Sequence, residues 1–304
     1  MQIGLVYGAL AYAMWGLFPL FFKQLHHVAS TEVVLHRMVW SLAFVLLVLT
    51  VLRRWSWLVE LKRQPRVLGV FAASATLLAG NWLLYIWAVN HDHVLDASLG
   101  YFILPLVNVA LGFVFLHERP RMAQWLAFSM AACGVVWLAV LAGHMPWIAL
   151  GLALSFGVYG LIRKLAPLGA LEGMSLETLL LAPLALAVLA WGSRSGDIPA
   201  HDGHTWLLFA LSGPVTAVPL LLFAAGARRV PLSTMGILQY LSPSILLGLG
   251  VWLYNEPFTG PRVAGFALIW LALAVYTAEG LWVNRAPKKS TLKEPTGQPL
   301  QPQE

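Results

Sequence analysis

The chain has 304 residues, of which 59% are hydrophobic and 11% charged, and its mean hydropathy is +0.75. A soluble domain carries about 25% charged residues, so a water-soluble enzyme or binding module is excluded and most of the chain belongs inside a bilayer. The net charge of +6 and the pI near 9.6 do not mark a nucleic-acid binder, because the bases are spread along loop edges with no stacking surface between them.

A helix crosses about 30 Å of hydrocarbon with roughly 20 apolar residues. In chain order the apolar runs predict ten such helices, near 3–22, 32–52, 68–90, 97–116, 123–142, 147–163, 174–191, 206–225, 232–253 and 263–283. Their period is helical, and each is about twice the length of a barrel strand. The first run has no Lys or Arg before it and no small-residue cleavage site after it, which predicts a retained helix rather than a signal peptide. The longest connections, 53–67 and 192–205, leave no room for a soluble catalytic domain. Residues 285–304 are rich in Pro, Gln and Lys and read as a disordered tail. The single cysteine, Cys133, falls in the fifth span and excludes an intramolecular disulfide.

Charge orients the spans. With a cytoplasmic N-terminus, most of the 19 Lys and Arg residues fall on the cytoplasmic side, in clusters at 53–66, 119–121, 163–164, 228–229 and 285–293. Lys23, Arg194 and Arg262 fall on the other side, and Arg37 lies within a span. The positive-inside rule therefore predicts an inner-membrane, multi-pass protein with both termini in the cytoplasm.

The chain also repeats itself. A shift of 138 residues superposes Pro105 on Pro243, Leu111 on Leu249, Gly112 on Gly250, Glu118 on Glu256 and Phe128 on Phe266. A shift of 141 pairs Gly16 with Gly157, Leu20 with Leu161 and Lys23 with Lys164. Apolar matches between membrane spans are cheap, whereas Pro, Gly and Glu matches at one offset are not. The expected organisation is a first five-helix unit over 1–145, a second over 146–284 and a cytoplasmic tail. Five is odd, so the second unit enters the membrane from the opposite side, and such inverted repeats place a site near the midplane between two bundles.

The motif Pro105, Gly112, Glu118, Arg119, Gln124 and Gly134 resembles the EamA repeat of the drug/metabolite transporter superfamily. The stretches AYAMWGLFPLFFK, EVVLHRMVWS, GNWLLYIWAVN and ASLGYFILPLVNV resemble, within it, the RarD-type (chloramphenicol-sensitive) permeases. The resemblance runs to about residue 284. It implies an all-α integral membrane protein of ten helices that carries a small organic molecule (a drug, amino acid or other metabolite) by alternating access, as an exporter. The second repeat departs from the pattern, with Asn255-Glu256-Pro257 where Glu-Arg would stand.

Several residues are candidates for the transport path. Pro105 and Pro243 each remove an intrahelical hydrogen bond and predict kinks. Tyr101, Pro105, Asn108 and Gly112 lie on one face of the fourth helix, with Gln239, Pro243, Leu246 and Gly250 as counterparts. This stripe reads either as a cavity lining or as tight packing in which Tyr101 and Asn108 bond a neighbouring helix. Asn81 and Tyr85 share a face of the third helix, and Trp15 joins them as a ring surface for a flat or partly apolar solute. Most of the 14 Trp residues suit interface belts instead. Gly4 and Gly8 form a GxxxG that serves internal packing or dimerisation, so monomer and homodimer both stay open.

Arg37 is the one base placed well inside a span, where an unpaired charge costs a few kcal/mol. It has three readings: snorkelling to the outer headgroups, a structural bond to Glu32, Asp96 or a carbonyl, or a cavity site for an anionic substrate group. Glu32 and His36, four residues apart near the outer end of the second helix, are either a proton-coupling pair or a helix-end pair. Glu118 and Glu256 sit at helix ends and read as loop anchors.

Two other classes compete with a carrier. Residues 90–96, NHDHVLD, match the Asn-His-x4-Asp string of glycerolipid acyltransferases, which makes a membrane-embedded enzyme the first rival. The loop has no domain to bind an acyl donor and reads better as a solvated turn. His91, Asp92, His93 and Asp96 show no closed metal-ligand geometry, and neither a metal nor a cofactor is expected. No phosphate-binding Gly-x4-Gly-Lys-Ser/Thr loop occurs, so ATP is not the energy source. A channel or receptor is the second rival, and it would need no duplicated halves. The expected partners are a small-molecule substrate and the lipid bilayer.

Overall fold

The computed structural model describes residues 2–63, 65–91, 93–143, 145–253 and 260–285, and these contain no strand. The helices are α1 (Gln2–Gly16), α2 (Phe18–Phe22), α3 (Ser30–Val51), α4 (Trp57–Arg63), α5 (Pro65–Asn90), α6 (Val94–Leu116), α7 (Met122–Ala142), α8 (Trp147–Leu165), α9 (Ala170–Ser195), α10 (Gly203–Ala227), α11 (Leu232–Gln239), α12 (Leu241–Gly248) and α13 (Gly260–Arg285). A 3-10 turn at Lys23–Leu25 follows α2, and a π-helical turn at Leu249–Leu253 follows α12. Among the described residues, nine helical stretches are long and apolar enough to cross a membrane.

The missing tenth is the expected span 232–253, which is not one helix. It breaks at Tyr240 into α11 and α12. Pro243 permits the break, having no N–H for the Gln239 carbonyl and a ring that crowds it, and the packing around α11 and α12 decides that the helix parts there. α6, by contrast, runs unbroken through Pro105. The first span breaks too, at Leu17, because Pro19 opens α2 and cannot continue the α1 ladder. The 53–67 connection carries the short helix α4. The proposed tail beyond 285, Asp92 and the Asn255–Pro257 motif with Glu256 lie outside the described residues.

Packing has an exchange symmetry of the kind a duplicated five-helix unit gives. α1 packs on α10 and on α11–α12, as α8 packs on α5 and α6. α3 packs on α10 as α9 packs on α5, while α3 pairs with α9, α6 with α11 and α7 with α13. The N-terminus and the α6–α7, α8–α9 and α10–α11 connections share one face, the near face. The α1–α3 and α9–α10 connections meet at the far face.

The main core lies toward the near face. Tyr12, Phe71, Tyr159 and Phe223 are fully buried there, with Tyr159 stacked on Phe223 at 6.3 Å between ring centroids. Lipid tails are as apolar as these side chains, so close packing and dispersion hold the helices together more than the hydrophobic effect does. The GxxxG of α1 serves that purpose within the chain. A Cβ on Gly4 would lie 2.7 Å from Arg229 Cβ, and one on Gly8 would lie 2.9 Å from Met235 Sδ.

Candidate functional site

Above this core the two halves part around a cavity of about 600 Å³, within the range of small-molecule sites. It reaches from exposed Lys23, His26 and Ser30 at the far face down to Tyr12, Leu220 and Gln239 at mid-span. Helices of both halves line it.

Arg37 stands in its wall on α3. Its Nε donates a 2.9 Å hydrogen bond to Thr216 Oγ1 on α10. Its guanidinium carbon lies 4.8 Å from the Phe22 ring centre, 5.2 Å from Trp82 and 5.8 Å from Phe18, within the range of cation–π attraction. Of the structural partners expected for Arg37, Glu32 is engaged elsewhere, and the side chain of Asp96 lies outside what is described. The observed partner is a hydroxyl 179 residues away. Sequence reasoning missed Thr216 and the Phe18 and Phe22 rings, since nothing in an apolar run announces which helix it will face.

The other candidates divide between wall, floor and interface. Trp15, Asn81, Tyr85, Tyr101, Gln239 and Pro243 line the cavity. The Tyr85 and Tyr101 rings stand 6.2 Å apart. Asn81 donates to Leu152 O (2.9 Å) and Ser155 Oγ (2.8 Å), so its amide braces α5 against α8. Asn108 does not reach the cavity. It is buried and donates to Gln239 Oε1 at 3.0 Å, a bond that forms part of the floor. Tyr12 OH approaches the same oxygen at 3.5 Å.

Beneath the floor the stripe Pro105, Asn108 and Gly112 meets α11. A Cβ on Gly236 would lie 2.6 Å from Pro105 O, and one on Gly112 would lie 2.6 Å from Glu118 Oε2. The half of the stripe read as cavity lining below Tyr101 is thus a helix interface, because α11 covers it. Glu118 closes the near face: it accepts hydrogen bonds from Leu232 N (2.6 Å), Ser233 N (3.0 Å) and Ser233 Oγ (2.7 Å) at the N-terminus of α11. Lys164 Nζ donates to Ala227 O (2.8 Å) and Val230 O (2.5 Å), and Arg228 donates to Ala166 O (2.5 Å) and Leu168 O (2.7 Å). The cavity is therefore open at one face and closed at the other by polar bonds, Glu118 joining the first half to the second.

Two clusters lie apart from the cavity. Glu32 Oε1 is 2.7 Å from His201 Nε2 and 3.8 Å from His36 Nε2. His36 stacks on Phe209 with ring centroids 3.9 Å apart. This proton-coupling candidate therefore ties the start of α3 to the α9–α10 connection, and neither Glu32 nor His36 lines the cavity. The second cluster corrects the reading of Arg163 as a loop base and of Arg37 as the one base inside a span. Arg163 and Glu177 are each 1% exposed, with Arg163 Nε 3.7 Å from Glu177 Oε1. Ser74 Oγ donates to Glu177, and so does Tyr159 OH at 3.4 Å. In the 90–96 string, His91 and His93 stack on Trp87. Among the described residues no group of three or more His, Cys, Asp or Glu side chains is placed to hold a metal.

Bilayer-length helices around a central, largely apolar cavity with Arg37 in its wall have the architecture of a multi-pass membrane transporter. Comparison with known proteins agrees with this. The EamA-like transporter family model matches twice in succession, over residues 2–140 and 145–278. Protein RarD of Streptomyces exfoliatus is 49% identical, covering 93% of this chain and 91% of its own. An uncharacterized transporter of Bacillus subtilis, YojE, is 45% identical over 94% and 97%. Protein RarD of Escherichia coli K12 is 42% identical over 94% and 97%. A solved crystal structure aligns with a TM-score of 0.67, covering 90% of this chain and 98% of its own at 20% identity, which speaks to the fold alone. The chain belongs to the EamA-like transporter family.

Proposed function

We propose that the protein is a secondary carrier that moves a small organic molecule across the bacterial inner membrane by alternating access, as an exporter, with both termini cytoplasmic. The carrying observation is the cavity, open at the far face and shut at the near face by hydrogen bonds. In this reading residues 1–145 and 146–284 are two inverted repeats. Breaking the near-face bonds while the far-face connections close turns the same cavity toward the cytoplasm. The positive-inside bias supports the orientation, since the near face carries most of the bases.

Arg37, Trp15, Tyr85, Tyr101 and Gln239 are the substrate-facing residues of this reading. Flux tests it: proteoliposomes given a panel of amino acids, aromatic compounds and antibiotics should show saturable uptake and counterflow for at least one solute. Arg37→Lys should lower that flux and Arg37→Ala abolish it at equal expression. Flux that rises linearly with concentration and shows no counterflow would indicate a channel and overturn the reading.

A further inference from the structure

We infer that the cavity takes an organic monoanion, a carboxylate carried on a flat apolar body; the inference rests on the carrier reading only in taking the cavity for the substrate site.

Charge is the first observation. Among the described residues that line the cavity, Lys23, His26 and Arg37 are basic and none is acidic. Glu32, one turn before Arg37 on α3, is turned away and bonded to His201 at 2.7 Å. An arginine at membrane depth is stable only when paired or hydrated, and this one has no carboxylate partner among the described residues. Its counter-charge is left for what enters the cavity.

Geometry narrows the ligand further. Thr216 takes the Nε hydrogen, and the rings of Phe18, Phe22 and Trp82 lie about the guanidinium. The remaining N–H groups face no protein acceptor among the described residues. They form a held, planar fork, which matches a carboxylate with two parallel bonds. Gln239 adds a second donor. Its Oε1 is engaged by Asn108 and approached by Tyr12, which leaves its amide NH2 end for the cavity it lines. Trp15, Trp82, Tyr85, Tyr101 and Phe156 supply ring surface for an apolar body. An inorganic anion would leave that surface and most of the 600 Å³ unused. A zwitterion would bring an ammonium group into a site whose described lining offers it bases and no acid, so a monoanion is preferred.

The test is isothermal titration of the full-length chain in nanodiscs with four ligands of one skeleton: phenylpropionate, phenylalanine, phenylpropylamine and phenylpropanol. Phenylpropionate should bind at least ~10-fold more tightly than each of the others, and Arg37→Gln should remove that preference. Thr216→Val, which keeps the charge but frees the fork, should weaken the carboxylate several-fold and leave the alcohol unchanged. Should Arg37→Gln fail to fold, the wild-type series and Thr216→Val decide the matter. Equal binding of the amine or alcohol, no carboxylate binding at millimolar concentration, or wild-type affinity in folded Arg37→Gln would each overturn the inference. Carboxylate binding without saturable flux would overturn the carrier reading and leave the anion site standing. Counterflow of a neutral or cationic solute without carboxylate affinity would do the reverse.

Discussion

Glu118 at the end of α6 and Ser233 at the start of α11, 115 residues apart, are joined by two hydrogen bonds, one to the backbone N–H and one to the hydroxyl. The carboxylate caps the N-terminus of α11, where unpaired N–H groups favour negative charge. His117, at φ 54°, turns the chain back so that the carboxylate lies over Gly112, the one residue type without a Cβ in the way. The Gly112 to Glu118 spacing is thus the geometry of a latch.

Glu118→Gln should loosen this latch. An amide offers one acceptor oxygen where the carboxylate offers two, and charge-assisted bonds contribute about 1.5–3 kcal/mol each. Hydrogen exchange at the Ser233 amide should speed up by ~10-fold or more while the global fold is kept, and Gly112→Ala should act in the same direction. Unchanged protection at Ser233 in both variants would remove the latch from the account.

The buried Arg163–Glu177 pair predicts asymmetric costs. Removing either partner leaves a charge uncompensated, which costs about 3–5 kcal/mol, whereas replacing both by apolar side chains of similar size is often neutral. Glu177→Leu and Arg163→Met should each lower the melting temperature and membrane yield, and the double variant should recover most of the loss. A double variant as unstable as the sum of the singles would mean that the pair is not the unit.

Asp202 at the N-cap of α10 gives a pH dependence with a definite sign. Hydrogen bonds from the Thr205 hydroxyl and backbone N–H hold its carboxyl below the usual carboxylate range. A lowered folded-state value adds stability above the unfolded value that is lost as pH falls through the folded one. The first turn of α10, where His27 meets the Thr205 hydroxyl at 3.1 Å, should therefore fray in acid. Exchange at the Thr205 amide should rise as pH is lowered, after correction for the intrinsic rate, and Asp202→Ala should flatten the dependence.

The bilayer-spanning runs were legible because each needs a long apolar segment, and Pro105, Gly112 and Glu118 because polar and special residues are conspicuous inside such segments. Arg37, Tyr101 and Gln239 stood out for the same reason. The Thr216 bond and the Phe18, Phe22 and Trp82 rings were not legible as partners, since an apolar span says nothing about which of its faces meets which helix. Asn108 was visible as polar, yet its burial against Gln239 depends on α11 lying across α6. Arg163 was misread because a base in the last turn of a helix looks like a loop charge, and only the fold brings Glu177 beneath it. The break at Tyr240 was encoded in Pro243, but the same residue type at Pro105 leaves α6 unbroken, so the outcome belongs to the packing.

Alternating access is tested most directly at Ser242, which lines the cavity and accepts a conservative change to cysteine. In a Cys133→Ala background, Ser242→Cys is exposed to a membrane-impermeant maleimide, added outside whole cells in one arm and to inside-out vesicles in the other. Labelling should occur from both sides, rapid from the far face, slower from the near face, and faster from the near face when Glu118→Gln is added. Labelling from the far face alone, at all times and in the Glu118→Gln background as well, would contradict alternating access.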